Sequence, residues 1–319
     1  MNIVFLSDAS QPCPGTHGLG IAVHTMATGL LHKGHNVTLI ATEGSSFEGR
    51  LITPTPPDYN AEAKLAQAAI ELMKHEQVDV VYDHSHRHDL ARIFPNAPVV
   101  NHHHDKFQNP VRCAILCSEG QRQLMGYAFA NARVIHNALD ASEFIPSYRH
   151  DGYAAYVGVS RGYKQPALAI EAAARARIPL RVAGAGFGDI LDGFGNTQYV
   201  GVLDRAGVKE LYRGAAVYLQ MGNIEAFPLT NIEAGLSGTP TVAFPSGGNL
   251  DYVKAGINGV LIDTTCEDMV DAVVEGMRAA MSMNRREVRE YTAEHFGNVD
   301  RVLGEVEAAL ESCAGGAWW

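Results

Sequence analysis

The sequence predicts an α/β protein made of two Rossmann-like, doubly wound parallel-sheet domains that face each other across a central cleft. Short apolar runs alternate with longer segments of helical spacing in both halves of the chain, which is typical of βαβ units and parallel sheets. The 319 residues are enough for two domains of roughly 150 residues each. A polar stretch containing Pro146, at Phe144–Gly152, separates the halves and is typical of a domain boundary.

Each predicted element is an apolar run or a helical pattern bounded by turn residues. In the first half we predict strands at Ile3–Leu6, Asn36–Ala41, Val78–Tyr82, Pro98–Asn101 and Ala114–Cys117, and helices at Ile21–His32, Ala61–His75 and Glu119–Phe129. In the second half we predict strands at Ala154–Val157, Leu180–Ala183, Val217–Gln220, Thr241–Phe244 and Gly259–Ile262, and helices at Pro166–Ala176, Val208–Arg213 and Leu229–Leu236. From Asp268 onward the pattern is helical, with breaks near Met283 and Gly297. The predicted domains are therefore 1–148 and 149–298, and a C-terminal helix and tail at 299–319 is expected to pack back on the first domain.

Composition argues against several classes of function. The net charge is −10 and no basic stripe is present, so nucleic acid is not an expected partner. The N-terminal run lacks the basic leader and cleavage site of a signal peptide, and no apolar run approaches the roughly 18 residues of a membrane span. The five cysteines are odd in number and scattered, which favours reduced thiols. We therefore expect a cytoplasmic protein without a transmembrane segment.

The segment from Glu225 to Glu233 carries the main functional signal. A helix beginning at Leu229 would place Glu225 in the preceding loop and Glu233 within the helix. A helix start offers unpaired N–H groups and the positive end of the helix dipole, which together favour an anion. This arrangement suits a nucleotide sugar, with phosphates on the N–H groups and hydroxyls on the carboxylates. On spacing alone, two solvated glutamates that flank a helix explain the pattern more economically.

Ordered sequence blocks resemble glycosyltransferase family 4, the retaining group 1 enzymes of the GT-B fold. The block Glu225–Pro240 resembles the family's E-x₇-E signature, and Thr241–Phe244 and Gly247–Gly248 continue the match. Upstream, Tyr156–Lys164 resembles the strand whose following arginine and lysine hold the donor diphosphate. The resemblance covers nearly the whole chain, and it implies a hexosyltransferase with an acceptor-side first domain and a donor-binding second domain.

The same resemblance implies the residues of a donor site. Arg161 and Lys164 would neutralise the diphosphate, because an arginine can hold two oxygens at once. Gly184-Ala-Gly186 resembles the strand-end glycines that let the backbone approach the nucleotide. The implied donor-binding residues are Gly18, Gly158, Arg161, Lys164, Gly184, Gly186, Ala226, Phe227, Pro228, Leu229, Thr230, Asn231 and Glu233. The implied catalytic residues are His103, Glu225, Arg161 and Lys164.

In the first domain the resemblance implies residues on the side of the transferred sugar. Gly15–Gly20 resembles the glycine loop before the first helix, although His17 stands where the family has a glycine. Aligning Pro98–Asn101 on the family's strand places His103 at the sugar, whereas His102 is expected to be structural. The implied acceptor-side and sugar-side residues are His17, Gly20 and His104.

The implied mechanism is a front-face transfer that retains the anomeric configuration. Arg161, Lys164 and the helix start near Leu229 would stabilise the leaving diphosphate, which would help to deprotonate the acceptor hydroxyl. Glu225 would orient the sugar and Glu233 would hold the ribose. Neither a cofactor nor a bound metal is expected.

Two alternatives remain open from the sequence. The histidine clusters His84/His86/His88 and His102–His104 could bind the metal of a hydrolase, because alternate residues of an extended segment share a side. The chain could also be a nucleotide-sugar binding protein or an epimerase of the same architecture.

UDP is the default donor base, and a small molecule, a glycan or a lipid precursor are all open as acceptor. The sequence leaves the oligomeric state open, and Trp318–Trp319 is expected to be a tail that packs on the protein.

Overall fold

The protein is described from a computed structural model that covers residues 1–11, 18–57, 60–105, 111–187 and 196–317. Contacts divide the chain into two compact units, one comprising Met1–Asn137 with the residues from Asp300 onward, and the other comprising Ala138–Val299. Each unit contains one parallel sheet with flanking helices. No helix in the described ranges is long and apolar enough to cross a bilayer.

The first unit is built on a seven-stranded sheet in the order β3-β2-β1-β4-β5-β6-β7. Its strands are β1 (Asn2–Ser7), β2 (Asn36–Ala41), β3 (Arg50–Ile52), β4 (Val80–Asp83), β5 (Val99–His103), β6 (Ala114–Leu116) and β7 (Arg133–Val134). Its helices are α1 (Gly18–His32), α2 (Ala61–His75), α3 (Asp89–Ile93), α4 (Glu119–Met125) and, near the C-terminus, α11 (Val299–Ala314). The apolar runs of β1 and β4 are buried throughout, as expected for parallel strands covered on both faces.

The second unit is built on a six-stranded parallel sheet in the order β10-β9-β8-β11-β12-β13. Its strands are β8 (Ala154–Val157), β9 (Leu180–Ala183), β10 (Thr197–Gly201), β11 (Val217–Gln220), β12 (Thr241–Ala243) and β13 (Gly259–Leu261). Its helices are α5 (Pro166–Ala176), α6 (Arg205–Gly214), α7 (Leu229–Leu236), α8 (Asn249–Tyr252), α9 (Met269–Met281) and α10 (Arg285–Phe296). One side of the sheet packs on α5 and α9, whose apolar faces consist mainly of small side chains. This core includes Val217, Leu219 and Met277.

Helix α11 packs within the first unit, beside α1 and β6. A Cβ on Gly29 of α1 would meet the side chain of Leu303 at 2.4 Å, so the absence of a side chain at Gly29 lets the two helices approach closely. Farther along, the Sγ atoms of Cys313 and Cys113 are 3.5 Å apart. The last helix of the chain therefore completes the core of the unit that the N-terminus begins.

The structure differs from the predicted elements where segments are short or contain glycine. Gly126 adopts a φ of +77° and ends α4 at Met125, so the rest of the predicted helix forms a 3₁₀ turn at Tyr127–Phe129. Helix α1 begins at Gly18, so Gly18 and Gly20 lie in its first turn and not in a loop as expected. The sequence prediction missed the elements β3, β7, β10, α3 and α8, which have only two to five residues each and so no full hydrophobic period.

Candidate functional site

The predicted donor-binding residues of the second unit gather at one edge of its sheet. Strands β9, β8 and β11 are neighbours and run parallel, so their carboxyl ends lie side by side. The segment with Gly158, Arg161 and Lys164 follows β8, Gly184 and Gly186 follow β9, and Ala226–Glu233 follows β11. Ligands of doubly wound sheets bind at this edge.

Lys164 and Glu225 form an ion pair between the segments that follow β8 and β11. The ammonium group donates to Oε1 of Glu225, and the two side chains are only 22% and 10% exposed. The backbone N–H of Asn223 donates to the carbonyl of Tyr163 over 3.1 Å, and the Tyr156 hydroxyl donates to the Lys164 carbonyl over 3.1 Å. Glu225 therefore holds the Lys164 ammonium group in a fixed position at the sheet edge.

Arg161 differs from Lys164 in its surroundings. It precedes the short 3₁₀ helix Gly162–Lys164 in extended conformation and is exposed. Its guanidinium group can therefore reach a ligand in solution with little desolvation, whereas Lys164 is already placed by its ion pair.

Glycines bring the backbones of β8 and β9 into direct contact at the same edge. Gly184 has a φ of +134°, and a Cβ there would lie 1.7 Å from the carbonyl oxygen of Gly158. Gly186 has a φ of +85°, and its Cβ would contact Ser160 at 3.4 Å. Any side chain at Gly184 would separate the two segments, so this position admits only glycine.

Helix α7 begins at this edge of the sheet, so its N-terminus lies beside the segments that follow β8 and β9. Pro228 precedes the helix, and no side chain of the described residues caps it. The segment that follows β12 holds the start of α7 in place. The Gly248 N–H donates to the Glu225 carbonyl over 2.9 Å, and the Asn231 amide donates to Asn249 over 2.9 Å. The first turn can therefore present its N–H groups and dipole to an anion.

Glu233 lies in the second turn of α7 and is 6% exposed. Burial raises the pKa of its carboxyl to about 7, although the positive charges of Arg205 and Lys209 act in the opposite direction. A carboxyl buried at this cost, close to a helix start, is typical of a functional position.

The candidate site also contains two residues, Tyr156 and Gly248, that the predicted set of site residues did not include. Tyr156 fixes the backbone at Lys164, and Gly248 packs so closely that its Cβ would lie 2.5 Å from the carbonyl oxygen of Ala226. The Gly247–Gly248 pair gave a signal in the sequence, whereas nothing local to Tyr156 showed that its hydroxyl reaches eight residues along the chain.

In the first unit the predicted sugar-side residues are placed differently from one another. His17 lies outside the described residues, and Gly20 is buried in α1. His103 ends β5 with no exposed surface, and its ring packs at 4.4 Å from His88 and 4.9 Å from Phe129. Direct contact with a sugar would require this strand end to rearrange, so the catalytic role of His103 stays a prediction.

His104 is half-buried directly after β5. Because side chains alternate along a strand, its ring lies on the side of His102, at 4.4 Å, and not beside His103. The three consecutive histidines therefore belong to two different environments, which the sequence alone could not separate.

Comparison with known proteins shows which family the second unit resembles. Residues 141–295 match the family model described as Glycosyl transferases group 1. A sucrose synthase of Thermosynechococcus vestitus is 35% identical over 91 residues, which is 27% of this chain and 11% of that protein. The chain thus aligns with about a tenth of the length of this curated relative.

Two solved structures resemble the whole chain. AviGT4, a glycosyltransferase involved in avilamycin A biosynthesis, aligns with a TM-score of 0.77 and 20% identity over 99% of both chains. The Anabaena protein Alr3699/HepE, solved in complex with UDP and glucose, aligns with a TM-score of 0.73 and 16% identity over 98% of this chain and 100% of that chain. Residues 141–295 are therefore similar to the glycosyl transferases group 1 family, and the chain as a whole has the GT-B fold.

Proposed function

We propose that the chain is a retaining glycosyltransferase that moves a hexose-type sugar from a UDP-sugar to an acceptor hydroxyl without a metal in the donor site. The observation that carries the proposal is the group at the edge of β9, β8 and β11, where the Lys164–Glu225 pair lies beside the start of α7. Cationic side chains and a helix N-terminus are what a leaving diphosphate requires. The family match at residues 141–295 and the UDP complex of the Anabaena protein support this choice of donor.

In this mechanism each group has a defined task. Arg161 and Lys164 bind the diphosphate, and the α7 start stabilises the charge that grows on it as the glycosidic bond breaks. Glu225 keeps the Lys164 ammonium in place and orients the sugar through its hydroxyls. Glu233 accepts hydrogen bonds from the ribose, and the departing phosphate accepts the proton of the acceptor hydroxyl.

The donor site is tested by Lys164→Met with Lys254→Met as a matched control, since Lys254 is an exposed lysine of the same unit. Loss of Lys164 should lower kcat/KM by about 100-fold or more, the effect of removing one preorganised charge donor. The control should keep wild-type activity. Equal activity of the two variants would remove Lys164 from the diphosphate site.

The outcome of transfer is tested by incubating the protein with UDP-sugars and candidate acceptors and reading the product anomer by NMR. A product with the donor's anomeric configuration is expected. An inverted product would refute retention but not transfer. Tight UDP-sugar binding with no product, or with an isomerised sugar, would instead support a binding protein or an epimerase.

The metal-dependent hydrolase is less well supported. A catalytic metal needs an open coordination position that water can reach. Four of the six clustered histidines are at most 1% exposed, and the ring of the exposed His86 is bonded to Asp8, so the two clusters give a catalytic metal little support.

A further inference from the structure

Parallel strand pairing brings three histidines and a cysteine of the first unit together. In the register of β4 with β5, Asp83 pairs with Asn101, so the next residues, His84 and His102, are neighbours. In the register of β5 with β6, His103 pairs with Leu116, which places His104 beside Cys117. We call His84, His102, His104 and Cys117 the histidine–cysteine cluster.

Three of the four side chains, the histidines, have ligand atoms close enough to share one ion. One nitrogen from each of His84, His102 and His104 lies within 4.8 Å of the other two. The His84 Nδ1 and His104 Nε2 atoms are 2.9 Å apart, and the Cys117 Sγ lies 3.4 Å from His102 Nε2 and 3.8 Å from His104 Nδ1. In a tetrahedral zinc site the edges are about 3.3 Å between nitrogens and about 3.6 Å between nitrogen and sulfur. His104 faces His84 with Nε2 and Cys117 with Nδ1, so its ring must rotate to close all four ligands on one ion.

The surroundings suit metal ligands better than a purely hydrogen-bonded cluster. His84, His102 and Cys117 are at most 1% exposed. Neutral imidazole and thiolate are the forms of these side chains that bind metals. The Nδ1 atom of His84 faces His104, and its Nε2 atom is buried with no hydrogen-bond partner among the described residues, so hydrogen bonds alone do not satisfy this ring.

A neighbouring tyrosine orients one of the ligands. The Tyr82 hydroxyl lies 2.7 Å from Nδ1 of His102, and it also contacts the Met26 sulfur at 3.5 Å. If His102 Nδ1–H donates to the hydroxyl oxygen, the lone pair of Nε2 is directed toward Cys117. Such an outer hydrogen bond is a regular feature of metal-bound histidines.

The other candidate cluster, Asp8, Glu62 and His86, is weaker. The Glu62 carboxylate already accepts the backbone N–H groups of His86 and Arg87, and Asp8 already bonds to the His86 ring at 2.6 Å. Most of these atoms are already paired, and only Oδ1 of Asp8 is buried without a partner among the described residues, so we place no site there.

We propose that His84, His102, His104 and Cys117 bind a divalent transition metal of zinc type as a structural site of the first unit. Imidazole and thiolate ligands select zinc over magnesium or calcium. Four protein ligands fill a tetrahedral site and leave no open position, so the ion stabilises the strand ends and does not activate water. The site is independent of the proposed donor chemistry, which belongs to the second unit.

Metal content and cobalt spectroscopy test this site. The full chain is incubated with one equivalent of zinc sulfate, desalted and analysed by mass spectrometry for about one zinc per chain. With cobalt chloride, a tetrahedral site should give visible d–d bands and a thiolate-to-cobalt charge-transfer band. Binding should release one proton, because a cysteine thiol must ionise to bind the metal.

Cys117→Ser should lose the charge-transfer band and bind zinc much more weakly than the wild type. Tyr82→Phe should weaken binding by about 10- to 100-fold, as removal of an outer hydrogen bond does. Cys266→Ser, in the second unit, should behave as the wild type, and UDP binding should be equal in all variants. A wild-type chain that retains no zinc, or a Cys117→Ser variant that keeps the charge-transfer band, would overturn the proposal, even if the serine variant folds poorly.

Discussion

At the scale of single residues, the structure gives a physical role to side chains that the sequence could only mark. Glu225 and Glu233 are eight positions apart, and two glutamates at this spacing are common in proteins. The structure separates them, because Glu225 is paired with Lys164 whereas burial raises the pKa of the Glu233 carboxyl to about 7. One glutamate is therefore an ionic partner, and the other is a group that burial disfavours in its charged form.

Glu233→Gln should stabilise the protein at alkaline pH while weakening donor binding. Folding raises the pKa of Glu233 from 4.5 to about 7, so the folded state keeps a proton that the unfolded state loses between these values. The free energy of unfolding therefore falls as pH rises through this window, by roughly 1–3 kcal/mol. Glutamine removes this cost, so the gain in melting temperature over wild type should be larger at pH 8 than at pH 5.

The same variant should bind UDP at least about tenfold more weakly, since a hydrogen bond to a charged group contributes roughly 1.5–3 kcal/mol. Calorimetric titration at pH 8 measures this. Glu275→Gln, at an exposed position of the same unit, is the control and should change neither property. Normal UDP affinity in Glu233→Gln would show that the glutamate does not hold the ribose.

At the scale of elements, the helices with a full apolar period were predicted well, whereas the elements that were missed are all short. Helices α2, α5 and α7 have the predicted bounds, because each shows a full apolar period between turn residues. The edge strand β10 and the four-residue α8 were missed. Their conformations depend on the neighbours they pair with or cap, which are distant in the sequence.

Gly184→Ala should strongly destabilise the second unit. The added Cβ would lie 1.7 Å from the Gly158 carbonyl oxygen at a φ of +134°, so β8 and β9 would have to separate at their carboxyl ends. We expect a loss of about 3 kcal/mol or more in the free energy of unfolding, measured by urea denaturation.

The matched control for this change is Gly201→Ala. Gly201 also has a positive φ, of +87°, but its Cβ would meet nothing within 4 Å. Only the strain of the left-handed conformation remains, about 1–2 kcal/mol. Equal losses in the two variants would show that backbone conformation, and not the contact between strands, makes Gly184 necessary.

At the scale of the whole molecule, the chain contains two sheets with separate cores and separate chemistry. The donor-type groups belong to the unit Ala138–Val299, whereas the histidine–cysteine cluster belongs to the unit that starts at Met1. A ligand that binds one unit should therefore stabilise that unit first.

UDP should raise the melting temperature of the second unit with or without magnesium. At a concentration 100 times its Kd, a ligand adds about 2.7 kcal/mol, which corresponds to roughly 5–10 °C for a unit of this size. Scanning calorimetry in the presence of EDTA or of magnesium chloride should give the same shift. Uridine, which lacks the diphosphate, is the control and should give a smaller shift. A UDP effect that requires magnesium would refute the metal-independent donor site.

The sequence by itself determined the two parallel-sheet halves and marked the segment Glu225–Glu233, to which we assign the donor. These features are local, because an apolar run or a glycine before a helix start acts on residues within a few positions. Only the tertiary structure decided which distant groups meet. The Lys164–Glu225 pair joins residues 61 positions apart, and α11 enters the first unit by packing Leu303 on Gly29. The histidine–cysteine cluster comes from three segments that only the order β4-β5-β6 aligns. Such contacts depend on strand order and register, which are set by the packing of the whole sheet and not by any one segment.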